Sequence, residues 1–127
     1  MNGYLLAAGL TAAVVSAIHI VAGHVDPVRP LLASSLAVVP KRTMHAVWHM
    51  VSVDLVATAS TLLAVAWWQP VGTELVAMLT AARFAAYTVV FVVIALCVPG
   101  RAPLLRLPQW LLLAPVAILA GLGGWWA

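Results

Sequence analysis

Four apolar stretches recur along the chain, each divided from the next by a short segment where proline, glycine and charge collect. They cover about residues 4–22, 44–68, 74–98 and 108–125, each near the roughly 20 residues a helix needs to cross about 30 Å of hydrocarbon. The punctuation supports this division. Gly23, with Pro27 and Pro30 beyond it, predicts the end of the first helix, and Pro40 precedes the second. Pro70 precedes the third, Pro99-Gly100 closes it, and Pro108 suits the first turn of the fourth. Pro115 withholds an N–H from the Leu111 carbonyl and predicts a kink there. Residues 30–39 (PLLASSLAVV) are too few to span and too apolar for a solvated linker, so they predict a short interfacial or re-entrant helix. The fold class expected is all-α, a single transmembrane domain over residues 1–127 built as a four-helix bundle.

Composition strengthens that picture. Hydrophobic residues make up 65% of the chain and charged residues 7%, against about 25% charged in soluble domains. The formal charge of +3 comes from bases in short loops beside apolar spans, where it sets topology and makes nucleic acid an unsuitable partner; membrane lipid is the expected one. Arg29, Lys41 and Arg42 lie in the first loop and Arg101 and Arg106 in the third, while the second has no basic residue. By the positive-inside rule, the first and third loops are cytoplasmic and both termini lie on the other side, with a bacterial inner membrane as the expected location. Tyr4, Trp67, Trp68, Trp125 and Trp126 would form the outer aromatic belt and Trp110 the inner one. No basic region precedes the first apolar run, which reads as a retained helix rather than a cleaved signal. The single cysteine, Cys97, excludes an internal disulfide and any Cys-x-x-Cys motif. Small residues four apart (Gly9, Ala13, Ala17; Ala77, Ala81, Ala85; Ala120, Gly124) supply seams for close helix approach.

Candidate chemistry concentrates at the first loop. His19, His24, His45 and His49 are the only histidines, and all four fall at the helix ends that flank it. His45 and His49 are one helical turn apart on one face, the spacing at which a single helix gives two ligands to one metal. His19 and His24 would diverge by about 140° on an unbroken helix, so their convergence requires a break at Gly23. Counted from the loop, His19 matches His49 in depth and His24 matches His45, which predicts two layers of imidazole. Such a set suits a transition metal ion, zinc or iron first, with Asp26, Trp48 and Ser52 as supporting residues and haem b, ligated by His19 and His49, as the alternative cofactor. Ala46 stands where the general base of an H-E-x-x-H zinc protease would be, which argues against proteolysis. Four histidines are also too few for the multi-box di-iron membrane desaturases.

A second polar feature lies deeper. Asp54 falls near the middle of the second apolar stretch, where a lone charge costs about 2.5–3.5 kcal/mol on insertion scales. Its expected partners are Arg83 and Tyr87 on the third helix, joined by Thr58 or Thr80. The sequence thus predicts a small membrane protein that binds a transition metal at a cytoplasmic-side histidine cluster, with chemistry on a lipid-soluble substrate as one use. The alternatives are a proton or metal-ion transporter or channel acting as a homo-oligomer, a single-haem electron-transfer subunit, and a metal-free scaffold subunit.

Overall fold

The computed structural model describes residues 1–100 and 102–127, so Arg101, assigned above to a cytoplasmic loop, lies outside the described residues. The described chain is helical throughout: α1 (Gly3–Gly23), a π turn (His24–Val28), α2 (Arg29–Ala33), α3 (Val38–Trp68), α4 (Thr73–Cys97), α5 (Pro103–Arg106) and α6 (Gln109–Trp125). Three helical stretches are long and apolar enough to cross a membrane: Gly3–Ala33, Val38–Trp68 and Thr73–Cys97. The apolar α6 is shorter, at 17 residues.

The first helix does not stop at Gly23. Pro27 has no N–H to offer the Gly23 carbonyl, and the backbone answers by widening one turn instead of ending. The π pattern appears directly in the Arg29 N–H, which donates to the carbonyl of His24 five residues back. The helix then continues to Ala33. Residues 30–39 are therefore not an independent interfacial helix, because their first part belongs to α2 and Val38 and Val39 already belong to α3. Pro40 likewise lies inside α3, in its first turn, where backbone N–H groups have no intrahelical acceptor to lose. The loop between the first two long helices shrinks to residues 34–37, steadied by Lys41 Nζ donating to the Ser34 carbonyl at 2.6 Å. At the fourth helix, Pro103–Arg106 forms a separate turn, and α6 passes through Pro115 without ending.

Each long helix buries a seam at alternating steps of three and four: Leu5, Ala8, Ala12 and Val15 on α1; Leu55, Ala59, Leu62 and Ala66 on α3; Ala77 and Phe84 with Thr73 and Thr80 on α4; Leu113, Val116 and Ala120 with Gly123 on α6. That spacing is the left-handed, knobs-into-holes geometry of packed helices. In lipid the force behind it is close van der Waals fit more than exclusion of water. Hence the small residues. A Cβ on Gly9 would strike Leu63, and one on Gly124 would press on Ala77 and Met78. On α1 and α4 the seam uses only part of the small-residue stripe, since Ala17 and Ala85 are exposed.

The helices are not arranged in sequence order. α1 packs along both α3 and α6, α6 packs along α4, and α3 and α4 scarcely touch despite the tight turn that joins them. That turn is set by two left-handed residues, Gln69 (φ 44°) and Gly72 (φ 92°). The same end of the bundle is tied by Asn2, whose Oδ1 accepts from Leu5 N at 3.1 Å and whose Nδ2 donates to the Gly123 carbonyl at 2.9 Å. Its backbone N–H donates to the Ala66 carbonyl at 2.9 Å, so one residue links α1, α3 and α6.

Candidate functional site

The histidine-bearing helix ends meet around Trp48. This side chain projects from α3 toward α1, where Gly23 makes room for it: a Cβ on Gly23 would lie 3.2 Å from the indole Nε1. Gly23 thus serves close approach, not helix termination. The Nε1 itself is buried and has no hydrogen-bond partner among the described residues. His19 stacks on the indole at 5.1 Å between ring centroids and 19° between planes. His49 meets it edge-on at 4.9 Å, and His24 lies further off at 6.4 Å.

The four imidazoles divide into two kinds. His45 and His49 bring their Nε2 atoms to 3.2 Å of one another, as a one-turn separation on a single helix allows. His45 is half-buried and His49 exposed. His19 instead directs Nε2 toward the Trp48 carbonyl at a long 3.4 Å. A carbonyl only accepts, so as a hydrogen bond this contact requires the Nε2–H tautomer and turns Nε2 toward the α3 backbone. The same carbonyl accepts from Ser52 Oγ at 3.0 Å, which ties that hydroxyl to its own helix. His24 opens the π turn and Asp26 lies exposed within it. Among the described residues, no three His, Cys, Asp or Glu side chains come together as a metal-binding group. The physical reason is the unbroken first helix, whose wide turn begins only at His24, too late to swing that residue back beside His19.

The mid-helix polar group joins Asp54 to Arg83, as expected, but without Tyr87. Arg83 Nη1 donates to Asp54 Oδ1 at 2.8 Å, and Nη2 donates to Thr58 Oγ1 at 2.5 Å. Thr58 passes its own proton to the Asp54 carbonyl at 2.8 Å. Tyr87 is not a member: its ring lies 5.7 Å from that of Phe84 and it is exposed. The expected Asp54–Arg83 pair is present, and Thr58 completes it in place of Tyr87. Thr80 donates to the Val76 carbonyl instead of to the ion pair.

Arg83 and Asp54 line a cleft of about 470 Å³ between α3 and α4, walled also by Ala57, Thr58, Thr61, Val76, Leu79 and Thr80. A smaller apolar cleft of about 220 Å³ lies beside Trp48, between the π turn and the start of α3, against Pro27, Val28, Leu31, Met44 and Val47. Neither has a histidine in its wall. Cys97 ends α4 and is exposed. Asn2 carries structural weight that the apolar pattern alone did not reveal; its signal was an asparagine immediately before a helical run, a preferred N-cap. Compared with protein-family models, with curated proteins and with solved structures, the chain matches none.

Proposed function

We propose that this chain is a small membrane protein that binds a transition metal ion through His45 and His49. One observation carries the reading: the two Nε2 atoms are 3.2 Å apart. Two nitrogens bound at about 2.0–2.1 Å to one tetrahedral ion are separated by about 3.3 Å. That contact is a hydrogen bond with one Nε2–H aimed at its neighbour, so an ion would take the place of that proton at a spacing that suits a bidentate pair, and its remaining positions would stay open for water or a substrate donor. Zinc and iron suit two imidazoles and open positions. His19 and Trp48 form the wall behind the pair rather than part of the coordination shell. A haem held by His19 and His49 is the weaker reading, since His19 gives its ring face to the indole and its Nε2 to a carbonyl.

In the orientation we propose, α6 is the fourth span and Arg29, Lys41, Arg42 and Arg106 face the cytoplasm, which sets the histidine pair in the cytoplasmic leaflet of a bacterial inner membrane. A reporter fused to either terminus and active only outside the cytoplasm should be active; activity of a cytoplasm-only reporter there would reverse the assignment. The metal test uses the purified chain in lipid nanodiscs titrated with Co²⁺, whose absorption bands report coordination. Stoichiometric binding is expected in the wild type, weakened more than about 100-fold by His45→Ala or His49→Ala, since ligands matter more than the partners behind them. His24→Ala should leave it unchanged. Equal binding by the His45→Ala/His49→Ala double variant, or none by the wild type, would sink the proposal.

A further inference from the structure

The cleft between α3 and α4 is the feature that the histidine reading leaves unused. Helices joined by a tight turn ordinarily pack as antiparallel neighbours. Here α4 leans on α6 instead, and the α3–α4 side of the bundle is bridged by side chains, chiefly the Arg83–Asp54–Thr58 network. At about 470 Å³ the cleft is the size of a small-molecule site, typically 300–1,000 Å³.

Its chemistry is selective. A guanidinium has five N–H donors. Arg83 spends one on Asp54 and one on Thr58 and, among the described residues, its Nε has no partner. The side chain keeps 40% of its surface exposed, so donors remain within reach of the cleft. Thr61, also in the wall, adds a hydroxyl that is uncommitted among the hydrogen bonds of the described residues. Asp54, 2.8 Å from Arg83, cancels its charge, so an anionic group entering the cleft would meet the carboxylate's repulsion. A neutral acceptor would not. Depth makes the same choice. Arg83 follows Thr73 by ten residues and Asp54 precedes Trp68 by fourteen, which puts the pair about 15–21 Å from the helix ends. Phosphate headgroups stay at the interface of a hydrocarbon layer about 30 Å thick. A molecule that reaches the pair must carry its polar group into the hydrocarbon.

We propose that the α3–α4 cleft binds a neutral, membrane-soluble carbonyl compound, a quinone or a long-chain ketone, whose oxygen accepts from Arg83 while Ala57, Val76 and Leu79 hold its apolar body. This stands independently of metal binding at His45 and His49.

The test uses the full chain in nanodiscs with two probes, a decyl benzoquinone and a long-chain methyl ketone, each isotope-labelled at the carbonyl. Binding near one per chain is expected for at least one, with the labelled C=O stretch moved to lower frequency by the hydrogen bond. Binding of the quinone alone, or of both, identifies the source within that class. Leu79→Trp, which fills the cleft from an exposed position, should weaken binding at least about tenfold and abolish the band shift. The paired change Asp54→Leu/Arg83→Met removes the donors without orphaning a charge and should do the same. Wild-type affinity in both variants would overturn the proposal, as would displacement of either probe by oleate at equal concentration. So would disulfide cross-linking between copies by Ala57→Cys in a Cys97→Ala background, which would make the cleft an oligomer interface.

Discussion

Removing the Asp54 carboxylate while leaving Arg83 in place strands a guanidinium near the middle of two long apolar helices, and the structure sets the size of the penalty. The lost contact is one charge-assisted hydrogen bond of 2.8 Å. Thr58, bonded to Arg83 through its hydroxyl, remains to solvate the cation in part. An isolated Arg at the centre of a membrane helix costs about 2.5–3.5 kcal/mol on insertion scales. A snorkelling arginine recovers some of that, and Arg83 at 40% exposure has room to move. We therefore expect Asp54→Ala to destabilise the fold by about 2–3 kcal/mol. Arg83→Leu alone orphans Asp54 and should cost a similar amount. The double variant removes both charges, so it should lose less than the sum of the singles, with a coupling of at least about 1 kcal/mol. Interhelical polar contacts in membranes average about 0.6 kcal/mol and reach about 1.7, so the expected coupling lies in their upper range, as befits an ion pair. Reversible unfolding of the purified protein in mixed micelles, followed for all four members of the cycle, measures this. Additivity within about 0.3–0.5 kcal/mol would refute the pairing. Tyr87→Phe is the internal control and should change nothing, because the tyrosine stands outside the network.

Asn2→Ala should cost about 2 kcal/mol in the same assay, the sum of a lost N-cap and a buried Gly123 carbonyl left without its donor; a change under about 0.5 kcal/mol would contradict the three-helix tie. Gly23→Val should destabilise by about 1–3 kcal/mol and shift the Trp48 indole N–H resonance, since its Cβ would enter the space beside Nε1; an unmoved resonance would count against the close approach. Metal affinity at His45 and His49 should fall as the solution is acidified, because only neutral imidazole can ligate and protons compete for the same Nε2 lone pairs. A flat pH response would point to other ligands.

The helical architecture was written in the apolar runs, because in hydrocarbon a backbone must satisfy its own hydrogen bonds and length alone then separates spans from connectors. The Asp54–Arg83 pair was legible for a related reason: a charge at that depth has to find an opposite one, and the third apolar run offers a single arginine. Helix ends were read less well. Proline carries two meanings, breaker and first-turn residue, and the local sequence around Pro27 and Pro40 does not choose between them. In the structure Pro27 is absorbed by a π turn that continues into α2, and Pro40 sits in the first turn of α3. Depth along a helix could be counted from sequence, but rotation about its axis and the identity of its neighbour could not. Those two quantities decided that His19 serves Trp48 while His45 serves His49, that Tyr87 yields to Thr58, and that α4 packs on α6 and leaves a cleft beside α3. They depend on which small residues let which backbones approach, as Gly9 does for Leu63 and Gly124 for Ala77, and that complementarity belongs to pairs of surfaces and not to either strip of sequence.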